Sequence, residues 1–392
     1  MKRKDYKRLG DYIRVVDVRN RDLSITQLVG LTINKAFIPS VANVIGTDLS
    51  NYKVIRKEQF ACSLMQVSRD GKIPVAMFDE VSAIMSPAYP TFEVTDKTKL
   101  LPQYLMMWFS RSEFDREASF YAVGGVRGSL TWEDFCDMSL PIPSIEEQRK
   151  IVARYNALTN RIKLNEQTIQ KLEETAQTLY RKMFVDDIDV ENLPEGWRMG
   201  TLNDIVDIID GDRGVNYPKA SDFYNSNYCL FLNAGNVTKK GFEFENNQFI
   251  TKEKDEQLRK GKLQRLDIVL TTRGTVGNFA FFTKYVPYDN IRINSGMVIL
   301  RAKEAKFEVM PYLFNIMLSS QFTSQIESFL SGSAQPQLPI KDLIKIPIVV
   351  PALQYMDDFS RKVKLLINNG DLIKQEIRML KELQSLLATR IV

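Results

Sequence analysis

The feature that most constrains this chain is a heptad pattern that occurs twice. In the first copy the apolar seam alternates steps of four and three residues, which is the spacing of a coiled-coil helix. Ser144 and Glu147 precede the seam as a Ser-x-x-Glu capping box, so we expect the helix to begin there. The seam comprises Ile151, Tyr155, Leu158, Ile162, Asn165, Ile169, Leu172, Ala176, Leu179 and Met183.

The second copy of the seam lies 208 positions later (359 minus 151) and keeps the same phase. Gly370, in the run Asn368-Asn369-Gly370, interrupts the apolar pattern. We expect a bend or a local break there because glycine disfavours a helix interior. The second seam comprises Phe359, Val363, Leu366, Gly370, Ile373, Ile377, Leu380, Gln384, Leu387 and Ile391.

The duplication continues upstream of both helices in one ungapped register. The offset of 208 pairs Tyr104 with Tyr312, Phe114 with Phe322, Gly124 with Gly332, Leu130 with Leu338, Asp134 with Asp342 and Pro143 with Pro351. The two halves also begin alike, at an offset of 193 (202 minus 9), which pairs Leu9 with Leu202, Asp11 with Asp204 and Asp17 with Asp210. A tandem duplication with the order globular–helix–globular–helix follows.

Each globular half is expected to be a mixed α+β domain. Short apolar runs bounded by glycine or proline predict strands, at residues 9–18, 73–77, 83–85 and 89–94 and, in the second half, at 202–210, 267–272, 278–282 and 297–301. Residues 102–116 and 311–329 predict one helix each, with proline near the N-terminus, where its missing N–H costs little. The fold class is therefore α+β.

Composition excludes several function classes. The chain has 392 residues and no histidine, which removes Ser-His-Asp triads and the commonest metal ligand. Gly71-Lys72 and Gly261-Lys262 are not followed by Ser or Thr, so no P-loop is present. Three widely separated cysteines give no disulfide or zinc spacing. We expect no catalytic residue, no metal site and no cofactor in this chain.

Charge and hydropathy are compatible with a cytoplasmic protein that has a polyanionic partner. The net charge of +5 is mild and permits such a partner without proving one. The longest apolar stretch, around residues 100–109, is too short to span a bilayer, and no apolar signal core follows the basic residues 1–8. We therefore expect a cytoplasmic protein with no membrane contact.

Loops that combine glycine with arginine occur in both halves. They lie at residues 124–128, at 211–214 and at 272–278, and residues 331–335 mirror the first of them. Ordinary turn chemistry explains any one of these loops equally well. Together they favour a nucleic-acid surface, because arginine binds phosphate and pairs bidentately with guanine.

In this order, several motifs resemble the specificity subunits of type I restriction–modification systems. They are Pro-Ile-Pro-Ser-Ile-Glu-Glu-Gln at 141–148, Leu-Pro-Glu-Gly-Trp at 193–197, Asn-Ala-Gly-Asn-Val at 233–237 with Gly241-Phe242, Thr-Thr-Arg-Gly-Thr-Val-Gly at 271–277, and Gly-Ser-Ala-Gln-Pro-Gln-Leu at 332–338. The resemblance covers nearly the whole chain. One departure is that Glu147-Gln148 has no equivalent after Pro351.

The resemblance implies two pseudo-repeated α/β target recognition domains, at 1–143 and 186–351. Each is followed by a long conserved helix, at 144–185 and 352–392, and the two helices form an antiparallel coiled coil. It implies a non-catalytic subunit that reads a split, asymmetric DNA site, one half per domain. Two methyltransferase subunits and two restriction subunits are the expected partners, and S-adenosylmethionine, ATP and Mg are expected on those partners.

Individual contacts are predicted from side-chain chemistry. Arginine and lysine suit phosphate or guanine, and asparagine and glutamine suit adenine. The predicted DNA contacts are Arg69, Lys72, Arg127, Arg213, Asn233, Asn236, Arg273, Arg292, Gln335 and Gln337. The predicted partner contacts are Glu147, Gln148, Arg154, Arg161 and Lys362. For Asn233 and Asn236, turn or cap bonding is the competing interpretation.

Two other function classes remain open from sequence. A coiled-coil adaptor without a DNA role explains the helices but not the arginine–glycine loops of both domains. A self-sufficient DNA enzyme conflicts with the lack of histidine and of nucleotide-binding or methyl-donor motifs.

Overall fold

The computed structural model describes residues 6–40, 46–65, 67–122, 129–303, 306, 308–330 and 337–389. The chain divides into two compact units, one formed by residues 1–163 and 378–392 and the other by residues 164–377. This division crosses both long helices, so each unit contains one globular domain together with part of each helix.

The first globular domain combines short strands with short helices. Its strands are β1 (Tyr6–Arg8), β2 (Ile13–Val15), β3 (Val29–Leu31), β4 (Phe37–Pro39), β5 (Lys53–Arg56), β6 (Phe60–Cys62), β7 (Val75–Met77), β8 (Ser82–Met85), β9 (Thr91–Val94) and β10 (Ser139–Pro141). Its helices are α1 (Val67–Asp70), α2 (Pro102–Phe109), α3 (Ser112–Ala122) and α4 (Trp132–Asp137). The first long helix, α5 (Ile145–Phe184), follows them.

An antiparallel four-stranded sheet in the order β2-β9-β6-β7 carries the core of the first domain. Phe60 and Phe92 lie opposite each other on neighbouring strands, and their rings stack at 5.1 Å. Phe109 from α2 and Phe135 from α4 close over this pair. Aromatic side chains bury large apolar areas, so this cluster contributes much of the stability of the domain.

The second globular domain repeats this plan with one more described strand. Its strands are β11 (Arg198–Thr201), β12 (Val206–Asp210), β13 (Cys229–Phe231), β14 (Val237–Thr238), β15 (Gly241–Phe242), β16 (Phe249–Ile250), β17 (Ile268–Thr271), β18 (Phe279–Phe281), β19 (Ile291–Arg292), β20 (Met297–Ala302) and β21 (Pro347–Val350). Its helices are α6 (Leu202–Ile205), α7 (Lys252–Gln257), α8 (Val309–Met317), α9 (Ser320–Leu330) and α10 (Ile340–Leu343), and the second long helix, α11 (Leu353–Thr389), follows.

Equivalent hydrogen bonds confirm the duplication. The main sheet of the second domain has the order β12-β20-β17-β18, which matches the first domain strand for strand. Three bonds of the first domain recur at the offsets found in the sequence. The bond from Leu9 N to Met138 O recurs as Leu202 N to Ile346 O, and the bond from Leu130 N to Leu64 O recurs as Leu338 N to Thr272 O. The bond from Tyr104 Oη to Pro141 O recurs as Tyr312 Oη to Val349 O.

The offset changes from 193 to 208 because the second domain is longer between its first two main-sheet strands. Ile13 and Phe60 are 47 positions apart, whereas their counterparts Val206 and Ile268 are 62 apart. The longer segment includes α7 and two strands of a small sheet in the order β16-β13-β19. It therefore supplies structure that the first domain does not share.

Each predicted helix before the long helices is a pair of helices, so the single-helix predictions for residues 102–116 and 311–329 were wrong. Serine side chains explain the interruptions. Ser110 donates to the carbonyl of Met106, and Ser319 donates to Ile316 O while its Oγ accepts from Phe322 N. Serine competes for backbone groups in this way, and the second contact caps α9.

The long helix α11 passes through Gly370 without a break, so the predicted local break was wrong. Gly370 is buried, and an ideal Cβ at this position would meet nothing within 4 Å. Contacts directly after it hold the helix on the second domain. Asp371 accepts from Thr283 Oγ1, and Gln375 Nε2 donates to Tyr285 O at 2.7 Å. Such tertiary contacts offset the roughly 1 kcal/mol that one glycine costs a helix.

The two long helices contact each other in each unit. In the second unit Phe359 packs against Tyr180 and Phe184, with ring centroids 6.3 and 5.3 Å apart, and Lys374 lies 3.9 Å from Glu173. In the first unit Gln384 Nε2 donates to Thr159 Oγ1 at 2.7 Å. Residues of both helices therefore enter the packing of both units.

Candidate nucleic-acid interface

The loop formed by residues 294–296 organises the exposed polar residues of the second domain. It connects β19 to β20, and the carbonyl of Gly296 accepts from the backbone N–H groups of Thr272 (2.8 Å) and Arg273 (3.2 Å). Gly274 follows with a φ of +73°, which reverses the chain directly after Arg273. The Arg273 side chain is consequently exposed at the end of β17.

Gln337 lies beside Arg273. The two residues form an isolated antiparallel bridge, and the next residue, Leu338, donates its N–H to Thr272 O at 2.9 Å. Leu338 is buried, whereas Gln337 is exposed. The structure thus brings together two predicted DNA contacts from distant parts of the sequence.

Arg213 reaches the same loop from the other side. Its Nη2 donates to Ser295 O at 3.3 Å and to Asp210 Oδ1 at 3.1 Å, and half of its side chain stays exposed. Gly211 allows this approach, because an ideal Cβ there would lie 2.3 Å from the carbonyl oxygen of Asn294. Any larger residue would push the two loops apart.

Arg259 joins the group, although it was not among the predicted contacts. The carboxylate of Asp212 accepts from Arg259 N at 2.7 Å and from Gly214 N at 2.8 Å, so one buried side chain connects the two loops. The Arg259 side chain is 79% exposed. The signal in the sequence was the run Arg259-Lys260-Gly261-Lys262, which combines arginine with glycine as the predicted DNA-binding loops do.

Asp212 is held in its charged form. The N–H of Gly214 lowers the pKa of this carboxyl, burial opposes the effect, and the N–H and guanidinium of Arg259 lower it further. A charged carboxylate accepts both backbone bonds strongly. Asp212 therefore fixes the two loops over the whole neutral pH range.

Arg213, Arg259, Arg273 and Gln337, which we call the recognition cluster, have the chemistry of a DNA-binding surface. Three guanidinium groups can bind phosphates or pair with guanine, and the glutamine amide can pair with adenine. Backbone contacts hold Arg259, Arg273 and Gln337, and the guanidinium of Arg213 is bonded to Ser295 O and Asp210. All four side chains are exposed. The arrangement can bind a polyanion and discriminate among bases.

Two of the predicted contacts in the second domain are structural instead, and the first is Arg292. Its side chain is buried, with 6% exposure of the residue, and forms an ion pair with Asp255. It also donates to the carbonyls of Lys260 (2.6 Å) and Leu258 (3.0 Å). The prediction is corrected because the guanidinium holds the loop that carries Arg259 and does not face solvent.

Asn236 is the second correction. It is 1% exposed, its Oδ1 accepts from Asn233 N at 2.9 Å, and its Nδ2 donates to Glu243 O at 2.9 Å. Asn233 is partly exposed, and it caps the same turn by accepting from Gly235 N. Turn bonding, the competing interpretation from sequence, describes both residues.

Two of the predicted DNA contacts of the first domain, Arg69 and Lys72, lie within the described residues. Arg69 is exposed and pairs with its neighbour Asp70 at 2.6 Å, and Lys72 is exposed next to it. The backbone of the next residue, Ile73, is held in place because its N–H donates to Asp115, which forms an ion pair with Lys35 at 2.8 Å. The predicted contacts Arg127 and Gln335 lie outside the described residues.

Among the predicted partner contacts, Gln148 is a structural residue. It is fully buried, its Oε1 accepts from Leu101 N at 2.9 Å, and its Nε2 donates to the carbonyls of Lys99 and Pro143. The prediction is corrected because these bonds fasten the beginning of α5 to the first domain. Its neighbour Glu147 is half exposed, near Lys150.

The remaining predicted partner contacts lie on exposed faces of the long helices. Arg154 and Arg161 are exposed on α5, and Lys362 is exposed on α11, where it pairs with Asp358. Within the described ranges, no group of three or more potential metal ligands was found. None of the helices in those ranges is long and apolar enough to cross a membrane.

Comparison with known proteins gives a consistent result. The family model described as "Type I restriction modification DNA specificity domain" matches residues 15–174 and again residues 194–382. A crystal structure of a type I restriction–modification system S subunit from M. genitalium aligns with 98% of this chain and 95% of that chain. Its identity is 14% and its TM-score is 0.55, so this likeness shows a shared fold.

Curated relatives carry matching descriptions. The type I restriction enzyme MjaVIII specificity subunit of Methanocaldococcus jannaschii is 23% identical over 276 residues, which are 65% of this chain and 62% of that protein. The MjaIX specificity subunit of the same organism is 20% identical over 312 residues, 76% of this chain and 70% of that protein. The EcoBI specificity subunit of Escherichia coli is 23% identical over 280 residues, 62% of this chain and 54% of that protein.

The match thus spans less than two thirds of the MjaVIII and EcoBI subunits. The family model, by contrast, covers most of this chain in two successive copies, in agreement with the duplicated fold. The chain belongs to the family of type I restriction–modification DNA specificity proteins.

Proposed function

We propose that this chain is a non-catalytic reader of double-stranded DNA that recognises a bipartite, asymmetric sequence, one half with each globular domain. The observation that carries the proposal is the recognition cluster. Arg213 and Arg273 both contact the loop 294–296, Gln337 is bridged to Arg273, and Arg259 is joined to the Arg213 loop through Asp212. Arginine and glutamine are the side chains that pair bidentately with guanine and adenine in the major groove.

The halves of the site should differ because the two domains present different side chains at equivalent positions. The equivalent bonds made by Leu130 and Leu338 set the local offset at 208. At this offset Met65 stands where the second domain has Arg273, and Ser129 stands where it has Gln337. A methionine and a serine cannot make the same base contacts as an arginine and a glutamine.

The finer arrangement of the long helices, an antiparallel coiled coil, is part of the proposal. It is supported within the second unit by two sets of contacts. Phe359, near the beginning of α11, packs on Phe184 at the end of α5, and the later Lys374 approaches the earlier Glu173. Heptad seams on both helices suit such packing.

The proposed partners are two methyltransferase subunits and two restriction subunits. S-adenosylmethionine, ATP and Mg would bind to those subunits, and the complex would work in the cytoplasm, where the DNA is. Exposed apolar residues on α11 support a partner surface, since Leu365 and Leu372 stand seven residues apart in the part of α11 that belongs to the second unit. Arg154, Arg161 and Lys362 offer charges on exposed faces of the long helices.

A mobility-shift assay with the methyltransferase partner tests the proposal against a coiled-coil adaptor. Labelled DNA containing the target sequence is challenged with unlabelled target or with scrambled DNA at a fixed salt concentration, because phosphate contacts make affinity salt-dependent. The proposal predicts that only unlabelled target competes efficiently. Equal competition by scrambled DNA, or no shift in the presence of the partner, would contradict sequence-specific reading and favour the adaptor.

A further inference from the structure

Val215 is the most exposed large apolar residue described in this chain, and its position is unusual. It is 97% exposed, although it lies in the second domain beside two residues of the recognition cluster. Arg213 precedes it by two positions in the sequence, and Arg259 approaches the same turn in the fold. An ideal Cβ on the preceding Gly214 would lie 2.8 Å from Arg259 Nη2, which shows how closely that guanidinium approaches the turn.

The turn that presents Val215 is fixed at both ends. Tyr217 N donates to Gly214 O at 3.0 Å, which closes a β-turn with Val215 at its second position. Upstream, Asp212 binds the turn through Gly214 N. Downstream, the Tyr217 ring packs on Phe231 at 5.7 Å, and Asn216 Nδ2 donates to Gln257 O. The valine is therefore held away from the core by an ordered backbone.

We propose that Val215 reads the 5-methyl group of a thymine in the half-site recognised by the second domain, with Asp212 as the residue that positions its loop. The inference rests on the proposed function. At 97% exposure, the Val215 side chain has almost no packing partner among the described residues, although it is held beside Arg213 and Arg259. DNA supplies one, because the thymine methyl is the apolar group in the major groove, and arginines beside the valine can bind the flanking phosphates.

The test replaces each thymine of the half-site by uracil, which lacks only the methyl group. The full chain in complex with its methyltransferase partner is titrated with each substituted duplex. At one thymine, substitution should weaken binding by native protein about fourfold, the effect of one buried methyl-sized apolar contact. Val215→Ser should bind thymine and uracil duplexes equally, and Val215→Thr, which keeps one methyl group, should retain part of the discrimination.

Val190→Ser is the matched control, since Val190 is another exposed valine of the second unit at 58% exposure and lies outside the recognition cluster. This variant should discriminate uracil as the native protein does. Asp212→Asn should reduce the discrimination and overall affinity together, because the loop loses its charged anchor. Thermal unfolding of each variant confirms that the domain is folded.

The inference is overturned if Val215→Ser keeps the native uracil profile, or if native protein binds every uracil duplex of that half-site as tightly as the thymine duplex. Both results leave specific binding intact and so differ from failure of the proposed function. That failure would show as native protein with no preference for any sequence.

Discussion

Arg273 and Gln337 lie opposite each other in an isolated antiparallel bridge, although 64 positions (337 minus 273) separate them in the chain. The bridge places a guanine-reading and an adenine-reading side chain together at one edge of the second domain. It is closed by the N–H of Leu338, whose counterpart Leu130 makes the same bond in the first domain. The duplicated fold thus provides a common frame, and the residues at the bridge differ between the copies.

Arg273→Ala should weaken binding to target DNA about tenfold or more, because a bidentate arginine–base contact is worth roughly 1–3 kcal/mol. Sequence preference should relax at one or two positions of a single half-site. Fluorescence-anisotropy titrations with target duplexes carrying single base changes measure both effects.

Arg198→Ala is the control for that experiment, because Arg198 is also exposed but lies on β11, outside the recognition cluster, where it pairs with Asp204. It should bind all duplexes as the native protein does. Equal losses in the two variants would mean that Arg273 contributes only general positive charge.

The buried pair of Arg292 and Asp255 should make stability depend on acid pH. Burial raises the pKa of Asp255, but the ion pairs with Lys262 and Arg292 outweigh burial and leave it below its ordinary value of 3.8. Since the pKa is lower in the folded state, the carboxylate stabilises the fold fully above the unfolded value. That contribution is lost as the pH falls through the folded value.

Urea unfolding at a series of pH values, from neutral to about pH 3, measures this dependence. Asp255→Asn should lose several kcal/mol at neutral pH, roughly 3–5, because it leaves the Arg292 charge buried without its partner. The difference between native and variant protein should shrink in acid. A constant difference across the series would show that the Asp255 charge does not stabilise the fold.

Gln148→Ala should destabilise the first domain by about 2–4 kcal/mol, since it leaves Leu101 N and two carbonyls without their partner inside the protein. Partner binding should be unchanged once the variant is folded. Glu147→Ala, one residue earlier at a half-exposed position, should change stability by less than about 0.5 kcal/mol. Thermal unfolding and pull-down of the methyltransferase partner separate the two effects, and the reverse pattern would restore Gln148 as a partner contact.

Gly370→Ala should stabilise the protein by about 0.5–1 kcal/mol, because the site is helical and an added methyl group meets no atom within 4 Å. Gly211→Ala is the opposite case, since its methyl would lie 2.3 Å from Asn294 O. It should destabilise the domain and disturb the recognition cluster. Calorimetric melting temperatures measure both changes, and a lower melting temperature for Gly370→Ala would reveal a constraint at this position.

The architecture could be predicted from the heptad periodicity and the internal repeat, because both are visible in the order of the residues. The heptad seams set the positions of α5 and α11, and the two offsets anticipated equivalent hydrogen bonds such as those of Leu9 and Leu202. Gly370 was judged on local propensity alone. The contacts of Asp371 and Gln375 with the loop at 283–285 override that propensity and are invisible in the sequence.

The site was only partly predictable, because residue type does not reveal burial. Arg292 and Arg273 are both arginines at or just after the end of a strand, yet one pairs with Asp255 in the core and the other faces solvent. Arg259 was missed because its importance depends on Asp212, which is 47 positions away (259 minus 212) in the chain. Tertiary contacts of this kind decide which polar residues remain available to a ligand.

The most direct test of the account is a map of methylated adenines in cells that express this chain with its methyltransferase partner. We predict one bipartite sequence with unlike halves, and replacement of residues 186–351 by those of another family member should change one half and leave the other intact. A contiguous target, a change in both halves, or methylation that does not depend on this chain would contradict the proposal that each domain reads one half of a bipartite site.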